Sequence, residues 1–351
     1  MGLNVDIRKK YKDFELETAF STDDETLALL GASGSGKSMT LKCIAGLISP
    51  DEGKIVSDGR VLFDSAAKID LKPQERDVGY LFQSYALFPN MTVRQNISIA
   101  YSGSPEKKER VIDDLLSKYE ISELAGRYPV QLSGGQQQRA ALARIFAYRP
   151  KVLLLDEPFA ALDAFLRENM QAEFKRMIRE YDGNVVFVTH SRDEAYKLAD
   201  SIVILDDGRP VAAGRLREVF ANPGNARAAR MTGCKNISAI EKTGDRSFFA
   251  KDWGIELETK EPICPDHAFA GIRAHDFTTI DDDTANDKGS ELPNCFTVEI
   301  VDDIEGPFDK DVIFRTETGS GDMWWITEKT RDISLVRKLS IAPESIMLLE
   351  A

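Results

Sequence analysis

The sequence predicts an α/β domain, a mostly parallel sheet wrapped by helices, followed by a smaller all-β domain. Three observations predict it. Apolar runs of strand length at Thr26 to Leu30, Val78 to Phe82, Lys151 to Glu157 and Val185 to His190 alternate with helical patterns, as in a sheet covered on both faces. The segment Gly31-Ala32-Ser33-Gly34-Ser35-Gly36-Lys37-Ser38 follows the first of these runs and precedes a helical stretch, Met39 to Ala45, stopped by Gly46. Texture and charge then change near residue 235: residues 1–234 carry a net charge of −1, residues 235–351 carry −12, and the latter break into short strand-like runs. The predicted domains are therefore 1–234 and 235–351.

The elements follow in order. Residues 3 to 20 alternate apolar and polar around Tyr11-Lys12-Asp13-Phe14, which reads as two strands and a turn. Lys54 to Val56 and Arg60 to Phe63 are joined through Ser57-Asp58-Gly59, a hairpin signal. After the strand that ends at Gln83, a helical insert occupies about residues 84–150. Within it Ser104-Pro105 starts a helix with Val111, Ile112, Leu115, Leu116 and Tyr119 on one face, and a second helix runs from Gln137 to Tyr148. A long amphipathic helix carries Leu166, Met170, Phe174, Met177, Ile178 and Tyr181, and one more helix and a hairpin at Asp207-Gly208 complete the unit. Beyond Gly233 come strands at Ser247 to Ala250, Ile255 to Thr259, Ala268 to Arg273, Phe296 to Ile304, Val312 to Thr316, Met323 to Ile326 and Ile346 to Leu349. They suggest one or two small barrels, with an acidic surface loop over Asp281 to Pro293.

Composition excludes several classes of function. With 42% hydrophobic and 29% charged residues the chain is that of a soluble globular protein, and no apolar run reaches the 18 or so residues of a membrane span. The start, Asp6-Ile7-Arg8-Lys9-Lys10, lacks the apolar core of a signal peptide, so a cytosolic location is expected. Cys43, Cys234, Cys264 and Cys295 are scattered without metal-binding spacing. No broad basic footprint supports a nucleic-acid partner.

The segment 31–38 matches G-x-x-x-x-G-K-[ST], the phosphate-binding loop, and sits at the strand-to-helix turn the motif requires. Its backbone N–H groups and the helix N-terminus suit phosphate oxygens, Lys37 suits the β- and γ-phosphates, and Ser38 suits Mg²⁺. That loop alone leaves kinases, GTPases and motor ATPases open. Asp156 ends an apolar strand, where a carboxylate can anchor Mg²⁺ through water, and Glu157 beside it can act as a general base. Leu132-Ser133-Gly134-Gly135-Gln136 joins a hydroxyl to paired backbone N–H groups at a helix start, a second phosphate-binding feature. Tyr11, upstream of the loop, is either a stacking face for a base or an ordinary strand residue.

In this order the motifs resemble the ATPase domain of ABC transporters, over about residues 3 to 234: phosphate loop, Gln83, helical insert, the 132–136 signature, Asp156-Glu157-Pro158, Ala161-Leu162-Asp163 and His190. The resemblance implies a P-loop NTPase fold with a helical subdomain and a head-to-tail homodimer with two ATP molecules between the subunits. Each ATP would be held by Gly31, Ala32, Ser33, Gly34, Ser35, Gly36, Lys37, Ser38 and Met39 of one subunit and by Ser133, Gly134, Gly135 and Gln136 of the other, with Asp163 nearby. It further implies that Tyr11 stacks on adenine, that Ser38, Gln83 and Asp156 attend the Mg²⁺, that Glu157 polarises the attacking water and that His190 contacts the γ-phosphate. One departure is Ala160, where the family usually carries Ser.

A single nucleotide domain without a membrane part, followed by strands, resembles the ATPases of bacterial sugar, sulfate, iron and molybdate importers, whose extension is an OB-like (TOBE) domain. Thr232 to Ser238 and Gly271-Ile272-Arg273-Ala274-His275-Asp276 look most like the molybdate branch. The resemblance implies a peripheral protein on the inner face of the membrane, bound to an integral permease and, through it, served by a solute-binding protein. Sulfate, iron(III), a sugar or a polyamine remain alternative cargoes, and a soluble ABC ATPase without transport is a more distant one. The C-terminal domain either binds an oxyanion to regulate transport, with Lys235 a candidate donor, or supports the dimer. His267 and His275 have no ligand cluster around them.

Overall fold

The computed structural model describes residues 2–160, 164–280 and 293–351. Asp163 and nearly all of the acidic stretch from Asp281 lie outside the described residues. The chain divides into two compact units, residues 1–217 and 218–351.

The first unit begins with β1 (Gly2–Tyr11), β2 (Phe14–Asp23), β3 (Thr26–Gly31), α1 (Lys37–Ala45), β4 (Glu52–Ser57), β5 (Arg60–Asp64), β6 (Ile69–Asp70) and β7 (Val78–Leu81). It continues through α2 (Val93–Ala100), α3 (Lys108–Lys118), α4 (Gly134–Tyr148), β8 (Val152–Asp156), α5 (Ala164–Arg179), β9 (Asn184–Thr189), α6 (Arg192–Leu198), β10 (Ser201–Asp206) and β11 (Arg209–Arg215). Six strands form one sheet in the order β11-β10-β3-β9-β8-β7, parallel except for β11 on the edge. Every residue of β3, β8 and β9 is buried, which is why these strands read as unbroken apolar runs and not as alternating ones. The remaining strands form an antiparallel sheet, β2-β1-β4-β5-β6. Leu3, Val5, Ile7 and Leu16 of that sheet share one core with Leu29, Leu154 and Val186 of the parallel sheet and with Leu41, Cys43 and Ile44 of α1. The helix that follows the glycine-rich turn is thus held by both sheets. Between residues 84 and 150 the described structure is helical, with no strand.

Two helix starts differ from the sequence expectation. Ser104-Pro105 opens a single 3-10 turn, Pro105–Lys107, and α3 begins at Lys108, with Ile112, Leu116 and Tyr119 buried. The helix expected from Gln137 begins three residues earlier: Ser133 is its N-cap, and Gly134, Gly135 and Gln136 form its first turn. Two glycines lower helix propensity there, and the capping box between Ser133 and Gln136 outweighs them.

After α7 (Leu216–Ala221), which spans the division, the second unit contains α8 (Ala226–Met231), β12 (Asn236–Lys242), β13 (Ser247–Ala250), β14 (Ile255–Glu258), β15 (Phe269–Ile272), β16 (Phe277–Thr279), β17 (Cys295–Glu305), β18 (Asp309–Thr316), β19 (Met323–Glu328), β20 (Lys338–Ile341) and β21 (Ile346–Leu349). The two compact units divide at 217/218, seventeen residues before the boundary expected at 234/235. The physical reason is that residues 218–234 are tied to the end of the chain. Asn225 bridges Glu350, the Ala226 N–H donates to the Glu350 carbonyl, the Glu350 N–H donates to Gly224, and Ala229 and Cys234 pack on Leu349. The strands form two antiparallel sheets, β14-β13-β12-β15-β21 and β16-β20-β17-β18-β19, neither of which closes on itself among the described residues. They share a core around Phe248, Trp253, Phe314 and Trp325.

Candidate functional site

The turn from β3 into α1 is set by glycine. Gly36, the N-cap of α1, has φ +100°, and a Cβ there would lie 2.7 Å from Leu16 Cδ1 and 3.1 Å from Phe14 Cζ. No side chain caps this helix, so its first N–H groups remain directed at the turn. Lys37 is 5% exposed, and its ammonium donates to the carbonyls of Gly31 (2.9 Å) and Ala32 (2.7 Å). Burial lowers the Lys37 pKa, opposed by the carboxylates of Glu157 and Asp156.

Two consecutive carboxylates stand opposite the loop. Asp156, the last residue of β8, is 8% exposed; its Oδ1 accepts from the Ser38 hydroxyl at 2.7 Å and its Oδ2 from the Tyr80 hydroxyl at 2.9 Å. Burial and the Asp156 charge push the Tyr80 phenol pKa up, which keeps it a proton donor. Glu157 follows with φ +48°, a left-handed conformation that costs a non-glycine residue about 1–3 kcal/mol and that turn residues such as Asp58, Asp77 and Asp207 also adopt here. Its carboxylate accepts from Gln83 Nε2 at 3.2 Å and lies 3.8 Å from His190 Nδ1. The three residues expected to be catalytic, Gln83, Glu157 and His190, therefore meet around one carboxylate.

A groove of about 470 Å³ opens over the loop, lined by Tyr11, Phe14, Ser33, Gly34, Gly36, Lys37, Ser38, Met39, Lys42, Ile48 and Glu157. Tyr11 is 57% exposed at the mouth of this groove, with the Lys12 ammonium 5.7 Å from its ring centroid. Gly31, Ala32 and Ser35 do not line it; the first two hold Lys37 by their carbonyls and Ser35 is buried beneath. Ser133, Gly134, Gly135 and Gln136 do not line it either. They make a second, self-satisfied helix start: Ser133 Oγ accepts from the Gln136 N–H at 3.4 Å, and Gln136 Oε1 accepts from the Ser133 N–H at 3.0 Å. Asp163 lies outside the described residues.

Sequence reasoning missed Tyr80, and also Phe14, Lys42 and Ile48 in the groove wall. The only signal for Tyr80 is register. It pairs with Leu154 on the parallel strand β8, which places it on the face of Asp156 two residues further on. A second, more apolar groove of about 530 Å³ lies between β7 and the helical insert, lined by Phe82, Ala86, Phe88, Ile99, Arg144 and Tyr148 among others.

The family model described as ABC transporter matches residues 19–160. The molybdenum import ATP-binding protein ModC of Rhodospirillum rubrum is 40% identical over 222 residues, 63% of this chain and 60% of that relative, so the match spans about three fifths of its length. The sulfate/thiosulfate import ATP-binding protein CysA of Caulobacter vibrioides is 42% identical over 263 residues, 73% of this chain and 74% of that one. Among solved structures, the dimeric post-hydrolysis state of the ATP-binding cassette MJ0796 bound to ADP and Pi matches 62% of this chain and 99% of its own, at 31% identity and a TM-score of 0.53. With the glycine-rich turn, the paired carboxylates and these likenesses together, the chain belongs to the ABC transporter family.

Proposed function

We propose that this chain is the ATP-hydrolysing subunit of an importer for a small solute. The observation that carries the reading is that Lys37, Ser38 and Glu157 line one groove with Tyr11 at its mouth, while Asp156 contacts Ser38, and Gln83 and His190 stand 3.2 and 3.8 Å from the Glu157 carboxylate behind it. The N–H groups of the loop and of the uncapped start of α1 receive the phosphates, and Lys37 exchanges its loop carbonyls for β- and γ-phosphate oxygens. Tyr11 offers its exposed face to the adenine. Ser38 and Asp156, two hard oxygen donors already in contact, suit Mg²⁺. Among the described residues no cluster of three or more His, Cys, Asp and Glu could hold a metal alone, which fits a cation that takes its other ligands from phosphate and water. Bound there, Mg²⁺ neutralises charge on the phosphate oxygens. Glu157 accepts a proton from the attacking water, Gln83 orients that carboxylate and the water, and His190 donates toward the γ-phosphate.

The 132–136 turn contributes nothing to its own groove, so we assign it to the groove of a second copy, in a head-to-tail homodimer with ATP at each interface. The second, apolar groove beside Phe88 suits the cytoplasmic helix of a membrane permease. Phe88→Asp is expected to abolish transport and leave the free subunit's ATP hydrolysis intact; loss of both together would count against the groove assignment. Among the described residues no helix is long and apolar enough to cross a membrane, and a peripheral position on its inner face through the permease accords with that. We read the second unit as an OB-like (TOBE) domain, supported by its two five-stranded sheets around one core.

For the cargo we favour molybdate or a related oxyanion on the resemblance of Thr232 to Ser238 and Gly271 to Asp276; the relatives, which include molybdenum, sulfate/thiosulfate and spermidine/putrescine import proteins at like identity, leave the choice open. Uptake of labelled molybdate and sulfate in cells carrying Glu157→Gln beside the unmutated chain tests both halves of the proposal. Collapse of molybdate uptake alone supports it. Unchanged uptake of both turns the search to sugars, iron or polyamines.

A further inference from the structure

We propose that Tyr80 is a positioning residue that fixes Asp156 for the metal, an inference that rests on the reading of Ser38 and Asp156 as the Mg²⁺ site. Asp156 sits where the β7–β8 ladder has already ended: the last pair is Leu81 with Leu155, so β7's backbone no longer steadies it. Its side chain is held instead by two hydroxyls, one on each oxygen. Ser38 donates to Oδ1 at 2.7 Å and Tyr80 to Oδ2 at 2.9 Å. The two donors do different work. Ser38 belongs to the loop and would itself turn to the cation, leaving Tyr80 as the contact that keeps the carboxylate plane in place.

Tyr80 is itself held firmly. Its ring lies 4.5 Å from that of Phe82, it packs against the core that contains α1, and it is one of the walls of the apolar groove beside β7. Three residues on, Gln83 donates to Glu157. One short edge strand and its exit therefore hold both adjacent carboxylates, Asp156 through Tyr80 and Glu157 through Gln83. Gln83 acts on the group that handles water, and Tyr80 on the group that handles the metal.

The test is a thermal-melting titration of the full chain with ADP and Mg²⁺, which reads metal binding without turnover. The stabilisation by ADP in EDTA reports the loop, and the further increment on adding Mg²⁺ reports the metal carboxylate. Tyr80→Phe keeps the ring and removes the hydroxyl, and Tyr80→Met is a second apolar replacement should the first fold poorly. Both are expected to leave the ADP shift in EDTA unchanged and to raise the Mg²⁺ concentration for half of the increment about 10- to 100-fold, the range usual for loss of a residue that supports a ligand. Asp156→Asn serves as the control and should lose the increment. If Asp156→Asn loses it while both Tyr80 variants titrate like the unmutated chain, Tyr80 is merely a wall residue and the proposal is overturned, with the metal site left standing. If Asp156→Asn keeps the increment, the metal-site reading fails and the proposal fails with it.

Discussion

The two glycine- and serine-bearing helix starts of this chain, at α1 and at α4, are built in opposite ways. At α1 the N-cap is Gly36 in a left-handed conformation and no side chain satisfies the first N–H groups; they are left for a ligand, with Lys37, Ser38 and two carboxylates gathered around. At α4 the N-cap is Ser133, whose hydroxyl and the Gln136 amide close a capping box, and residues 133–136 do not line the groove over the phosphate loop. On the proposed reading the first helix start is a site by itself, and the second, a stable helix terminus, is half of a site that a second copy completes. A capping box is a sound device for such a surface, because it stabilises the helix until a phosphate competes for the same donors.

That contrast can be broken most severely on the α1 side. Glu157→Gln removes the base and keeps the shape, so steady-state ATP hydrolysis should fall about 10²- to 10⁴-fold. Equilibrium binding of ATP should hold. Retained hydrolysis would remove Glu157 from the chemistry. Lys37→Ala takes away the charged donor next to Glu157 and Asp156 and should weaken nucleotide binding by the single chain by roughly 1.5–3 kcal/mol, about 10- to 150-fold, measured by calorimetry.

On the α4 side the same assays should separate. Asp is as good an N-cap as Ser, so Ser133→Asp preserves the helix and sets a negative charge where a phosphate would arrive. Nucleotide binding by the isolated chain should stay within about twofold, while hydrolysis drops by more than about tenfold from like-charge repulsion. Equal loss of both would mean that α4 serves its own chain's groove. The smallest effect is on stability: Ser133→Ala, which loses the cap, should cost about 1 kcal/mol in chemical denaturation.

The features legible in the sequence are those whose signal is local. The glycine-rich turn, the Asp58-Gly59 and Asp207-Gly208 hairpins and the wholly buried β3, β8 and β9 all announce themselves within a few residues. What escapes depends on distant partners. Tyr80 is an unremarked strand aromatic until the parallel register with β8 sets it beside Asp156. The domain boundary shifts by seventeen residues because residues 218–234 are claimed by Glu350 and Leu349 at the far end of the chain, a closure no linker composition records. The strands β16 and β20 go unread for the same reason, since they pair with each other, and β20 with β17, across some forty to sixty residues of sequence.

The central claim is that one groove and a partner's 132–136 turn make each working site, and mixing two inactive chains tests it most directly. Lys37→Ala spoils the groove and leaves the turn; Ser133→Asp spoils the turn and leaves the groove. In a head-to-tail dimer of one of each, one site combines the intact groove with the intact turn and the other combines both defects. Random pairing at equal concentrations then restores ATP hydrolysis to about a quarter of the unmutated rate, from two preparations that are nearly inactive alone. No recovery on mixing, at concentrations where the unmutated chain dimerises, would contradict the account.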